Sequence, residues 1–243
     1  MAGGDRNSSA GGRDGTAKWV GAPIIPGDWF DILPDEASEI LTILGEYLRS
    51  AELPAFLAQA QLQGMRALEL DAYPDWLLIE CQAQINSESV VLFNYMFGPT
   101  GAILLDGRAD ALHAFNRLAG INIVGPQAAG ECLSFSCGSV RSGLGRFEII
   151  GSIADLYFSQ GTTRLQKTAV RRQLKPLRQV QTDESGIVFQ TTVRYGTSLF
   201  HSLFRVPPAG HVEMLEDHEI EFEATLETEL FEGPFRIPAA RPL

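Results

Sequence analysis

Residues 186–217 read GIVFQTTVRYGTSLFHSLFRVPPAGHVEMLED, and their period decides the fold. Apolar side chains recur at every second position at Ile187, Phe189, Val193 and Tyr195, again at Phe200, Phe204 and Val206, and again at Val212 and Met214. A period of two belongs to strands, and Pro207-Pro208-Ala209-Gly210 is a turn, so the stretch predicts a three-strand antiparallel meander. The other face carries Gln190, Thr192, Arg194, His201, Arg205 and Glu213, which reads as the wet side of a sheet buried on one face.

The same pattern lies about 110 residues upstream. Leu77, Ile79, Cys81, Ala83 and Ile85 align with Ile187, Phe189, Thr191, Val193 and Tyr195, and Gly98-Pro99-Thr100-Gly101 aligns with the later Pro/Gly turn. Phe93, Tyr95 and Phe97 fall on the buried face of that block. The reading is an α+β chain with two related units, each a helix followed by an antiparallel meander, with extra helices between them. Chance alternation in two β-rich stretches is the competing explanation. Residues 1–18 form a tail, 19–150 the first unit and 151–243 the second.

Outside the meanders, residues 1–18 hold five glycines and no large apolar side chain, which predicts disorder. Trp19, Trp29 and Phe30 stand among Pro23, Pro26 and Gly27, an irregular strap whose rings can anchor on a neighbouring surface. Pro34-Asp35-Glu36 opens a helix with a stripe at Ile40, Ile43, Leu44, Tyr47 and Leu48, and a second helix is predicted from Pro54 to a cap at Gly64. Further helices are expected from Ala109 to Gly120, from Pro126 to about Val140, and across Leu165, Ala169 and Leu174; Arg146–Ile150 reads as a strand. Strict alternation of acids with Ile220, Phe222, Ala224 and Leu226 predicts one long acidic strand over 219–230.

The chain has 243 residues, 45% hydrophobic and 20% charged, and no apolar run near the ~20 residues of a membrane helix. Three cysteines at no disulfide-like spacing and no apolar signal core point to a reducing, cytoplasmic setting. The net charge of −11 argues against general nucleic-acid affinity. Gly138–Gly145 lacks the Lys-Ser/Thr of a phosphate loop and the third glycine of a dinucleotide fingerprint, no Gly-x-Ser-x-Gly elbow occurs, and Cys132 and Cys137 are set about 140° apart on a helix. No cofactor or metal is expected from these patterns.

Three constellations remain. On the wet face of the second meander, Arg194, His201, Arg205 and Asp217 form a candidate anion or carboxylate site, set against ordinary cross-strand charge pairing. The first meander places Leu78, Leu92, Met96 and Leu104 on its outward face, so something must cover them: the helices at 108–119 and 126–140, the other unit, or a partner chain. Arg164, Lys167, Arg171, Arg172, Lys175 and Arg178 form a basic run with no acid from 156 to 182, while 213–232 holds nine acids and no Lys or Arg. No aromatic interleaves the bases and the chain carries its own acidic strand, so complementarity within the chain, with a second copy or with a protein partner is favoured over nucleic acid. The functional expectation is a non-catalytic binding or adaptor protein, with a small-ligand protein or enzyme using a pocket between helix and curved sheet as the alternative.

Overall fold

The computed structural model describes residues 18–47, 60–85 and 89–238. The tail over 1–17 and the helix expected over 54–59 lie outside these residues. In chain order the elements are β1 (Phe30–Asp31), α1 (Pro34–Tyr47), β2 (Gln61–Glu69), β3 (Leu77–Gln84), β4 (Val90–Gly98), β5 (Gly101–Leu104), α2 (Ala109–Ala119) and α3 (Gly125–Ser139). There follow β6 (Arg141–Ser142), β7 (Gly145–Ile150), a 3-10 turn (Ile153–Asp155), α4 (Arg164–Gln173), β8 (Arg178–Asp183), β9 (Gly186–Tyr195), β10 (Ser198–Val206), β11 (Glu213–Ile220), β12 (Leu230–Glu232) and β13 (Phe235–Ile237). No helix among the described residues is long and apolar enough to cross a membrane.

Two antiparallel sheets organise the chain, an α+β arrangement. The first runs β1-β2-β3-β4-β13-β12, with β5 also on β4; the second runs β11-β10-β9-β7-β6, with β8 also on β9. Both sheets draw strands from both sides of residue 150. Alternation in the 186–206 stretch translates directly into register: Ile187 pairs with Val206, Phe189 with Phe204 and Val193 with Phe200, so these six side chains share one face.

Neither sheet has a wet face throughout. One face of the first sheet, with Ile79, Cys81, Phe93 and Tyr95, packs under Ala37 and Leu44 of α1. Its other face, with Leu68, Leu78 and Met96, packs on Leu112 and Phe115 of α2 and on Leu133 and Phe135 of α3, and these meet Phe189, Val193, Phe204 and Val206 of the second sheet from the opposite side. The far face of the second sheet is covered around Ile150, Leu199 and Ile220 by Val170 of α4 and by Ala224 and Leu226. The layers are therefore α1, first sheet, α2 with α3, second sheet, and α4.

This layering explains the outward leucines. Leu78, Leu92 and Met96 share a face and are fully buried within the chain, the first and third against the central helices and Leu92 beneath Gly21 of the strap. Leu104 pairs with Tyr95 and so sits on the opposite face, in the α1 layer. Leu78, Leu92 and Met96 are thus closed off within the chain and Leu104 is half-buried; the helices predicted over 108–119 and 126–140 cover Leu78 and Met96.

Four other expectations change. Residues 61–64, expected to close a helix at Gly64, belong to β2, whose pairing with β3 shifts register between Leu62 and Gly64. Alternation over 219–230 does not give a long strand: β11 ends at Ile220, and 221–229 run irregularly so that Ala224 and Leu226 can reach the α4 layer, with Leu226 bridging Phe158. On α4 the anchor is Val170, while Leu165 is 80% exposed. The two meanders β2–β5 and β8–β11 share strand order, and each follows a helix. However, Ile79 faces its helix α1 whereas Phe189 faces away from α4, so the equivalence drawn from the alternation is not carried by the packing.

A helix enclosed on all sides cannot be amphipathic, and α3 is not: ten of its 15 residues are buried, with small side chains where neighbours come closest. A Cβ on Gly138 would lie 2.7 Å from the Ile24 carbonyl oxygen and 2.7 Å from Ile25 Cγ2. Gly138→Ala is therefore expected to destabilise the fold by about 1–3 kcal/mol in urea denaturation. Gly143→Ala, where nothing stands within 4 Å, should leave the midpoint unchanged.

Candidate functional site

The residues singled out on the second meander are not brought together. Arg194 is buried beside Leu199, its guanidinium held by Glu148 at 2.6 Å and by the Glu227 carbonyl at 2.7 Å. His201 pairs with Thr192 and His218 rather than with Asp217, and its Nε2 meets the Gln173 carbonyl at 2.7 Å. Asp217 pairs with Ser202 on the other face, while Arg205 does pair with Glu213, at 3.5 Å. The strand β11 meets β10 with an irregularity at Leu203/Phe204, and that single step puts His218, not Asp217, beside His201.

What the charged strand residues build instead is a buried chain of alternating sign. Arg66 on β2 pairs with Glu80 on β3; Glu80 pairs with Arg236 on β13 at 2.6 Å; and Arg236 pairs with Glu229 at 2.6 Å. Glu229 then holds Arg146 on β7 at 2.9 Å, Arg146 holds Glu148 at 3.0 Å, and Glu148 holds Arg194 on β9. Four guanidiniums and three carboxylates thus connect the first sheet to the second. Burial by itself would raise the Glu229 carboxyl, but the Arg146 and Arg236 guanidiniums outweigh it and hold it down to about 2.

The strap is clamped by the same groups. Ile24 N–H donates to Glu80 at 3.1 Å, Ala22 O accepts from Arg236 at 2.9 Å, and Ile24 O accepts from Arg146. Val20 N–H donates to Gln82, and Gln82 donates to Lys18 O. The strap's rings anchor as expected: the Arg66 guanidinium lies 4.0 Å from the Trp19 ring centroid and 5.2 Å from that of Trp29. Between strap, β7 and the 3-10 turn lies a cleft of about 450 Å³, lined by Ile25, Phe147, Glu148, Asp155 and Tyr157 among others. Its ionisable groups are committed: Glu148 to two arginines and Asp155 to the Ser152 N–H, while the Tyr157 hydroxyl accepts from Ala22 N–H.

The remaining reactive side chains are buried or dispersed. All three cysteines are free and buried, and burial pushes the Cys132 thiol up to about 11 and that of Cys137 up to about 12, which removes their nucleophilic form at neutral pH. Among the described residues no group of three or more His, Cys, Asp or Glu is placed to hold a metal ion. Asp106 pairs with Arg108 at 2.7 Å, whereas His113 stacks on His211 with centroids 4.1 Å apart. The glycine-rich 138–145 segment makes the β6–β7 hairpin.

On the surface the basic run keeps its exposed character. Thr163 and Gln166 cap α4 reciprocally, and the Lys175 backbone is fixed to Thr192 on β9 by hydrogen bonds of 2.7 Å in each direction. Arg164, Lys167, Arg171, Arg172, Lys175 and Arg178 are all exposed, and none enters an ion pair among the described residues. Comparison with protein-family models, with curated proteins and with solved structures finds no match to this chain.

Glu229 offers the sharpest test of the buried chain. Because its folded pKa is depressed from 4.5 to about 2, its contribution to stability is complete above pH 4.5 and is lost as pH falls towards 2. Glu229→Gln should cost about 3–5 kcal/mol near neutral pH, since two buried guanidiniums each lose one of their two carboxylates. Urea midpoints measured from pH 6 to pH 2 should fall less steeply in the variant than in the wild type.

Proposed function

We propose that the chain is a non-catalytic binding protein that docks an acidic segment of a protein partner on the outer face of α4 and the start of β8. The observation behind this is the run Arg164–Arg178: six exposed cations, none in an ion pair among the described residues, on a chain whose net charge is −11. A local patch of this kind acts within about one Debye length, ~8 Å at 0.15 M salt, so acids farther away on the chain are screened from a partner seated on it. A protein is favoured over nucleic acid because no aromatic side chain interleaves the bases to stack on a nucleotide. In the strap cleft the acids among the described residues are held by arginines and a backbone N–H, which suits binding better than proton transfer.

A second reading, a small-ligand protein, has the strap cleft behind it, since about 450 Å³ lies within the usual ~300–1,000 Å³ of ligand sites. Such a ligand would be selected by shape and apolar lining more than by proton transfer.

A labelled polyglutamate peptide is the direct probe. It should bind the wild type at low ionic strength, weaken as salt rises, and lose about tenfold or more in affinity with Arg171→Glu/Arg172→Glu. Equal binding by variant and wild type would overturn the docking reading. Binding of single-stranded RNA or anionic vesicles with polyglutamate ignored would replace it with nucleic-acid or membrane recruitment.

A further inference from the structure

Beside the basic helix runs an acidic segment of the same chain. Gln166 Nε2 donates to the Glu223 carbonyl at 3.4 Å and Gln173 Nε2 donates to the Glu221 carbonyl at 3.3 Å, so α4 lies alongside 221–223 through its two glutamines. The carboxylates of Glu221 and Glu223 are exposed, as are the cations of α4, and no ion pair joins the two rows among the described residues. One surface thus has a positive half and a negative half side by side, each unneutralised by the other.

We infer that this bipolar surface docks a second copy of the chain about a twofold axis. The inference rests on the docking reading above and names its partner. A twofold axis between the two rows lays each basic helix over the acidic segment of the other copy, giving two equivalent contacts and a closed dimer. The alternative route to self-association, pairing of the β11 edges, sets Glu213, Glu216, Asp217 and Glu219 of one copy against the same acids of the other and is blocked by like charge. Leu165, 80% exposed in the first turn of α4, supplies an apolar contact within the charged patch.

Two variants separate a contact between copies from one within a chain. Arg171→Glu/Arg172→Glu sets two acids within the basic row against the partner's Glu221 and Glu223, and Glu221→Lys/Glu223→Lys sets two cations against the partner's basic row, so each alone should raise the dimer dissociation constant about tenfold or more in sedimentation velocity. An equimolar mixture of the two variants should recover the dimer, because each contact in the mixed pair again joins opposite charges. Circular dichroism confirms folding, and Arg171→Gln/Arg172→Gln, which removes charge without reversing it, should weaken the dimer to an intermediate degree. A wild type that stays monomeric at low salt, or a mixture that recovers nothing, overturns the inference. If polyglutamate still binds in that case, the docking reading stands without self-association; if polyglutamate also fails, both fall.

Discussion

The seven-membered chain of buried charges from Arg66 to Arg194 is the constraint on which the rest of the structure depends. Each member is withdrawn from water, which is tolerable only where an opposite charge and further hydrogen bonds replace the solvent. The positions of β2, β3, β13, β7 and β9 are therefore set against one another by groups that cannot be left single, and Ala22 and Ile24 of the strap are fixed because their backbone groups complete the same set. An apolar seam of equal size would tolerate sliding; paired guanidiniums and carboxylates do not. With the sheets so fixed, the space between them admits a helix only if its side chains are small where neighbours come closest, which is how Gly130 and Gly138 come to sit in α3 beside Leu133 and Phe135.

Much of this was legible in the sequence, and the misread site has one cause. Period-two alternation located β3, β4, β9 and β10, and the break at Gly120 bounded α2, because those signals are local. The assumption of a wet face was the error: Arg66, Glu80, Arg146, Arg194 and Arg236 occupy polar positions of amphipathic strands, and a strand pattern does not distinguish water from a buried counter-charge. Their partners lie up to 156 residues away along the chain, beyond any local window. The faint signal was a lone charge set within an apolar strand, as in LLIECQAQ around Glu80. The acidic alternation at 219–230 misled differently: Ala224 and Leu226 are buried, but from an irregular segment that bends to reach α4.

Charge on this molecule has two unlike uses. Inside, alternating signs hold the layers in place; outside, the cations of α4 and the carboxylates of Glu221 and Glu223 enter no ion pair among the described residues. The interior set explains why the meander's arginines and histidine do not make a site, since Arg194 is fully engaged and His201 is turned to the Gln173 carbonyl. The exterior set is where interaction with another molecule has chemistry available. Met214 and Leu215, exposed on the β11 edge among the acids, show that this edge relies on charge rather than on an absence of apolar side chains to stay unpaired.

The placement of β13 has a consequence for how the chain is made. Arg236 closes on Ala22 across 214 residues and on Glu80 across 156, and Arg146 reaches Ile24 across 122, so the innermost contacts are among the most distant in sequence. A nascent chain emerging from the ribosome has Arg66 and Glu80 in hand long before Arg236 exists. Until then Glu80 has Arg66 for a partner but lacks Arg236, and the edge of β4 that β13 covers is open. Folding of so non-local a topology is slow, and it is vulnerable at that intermediate stage to capture by other open sheets.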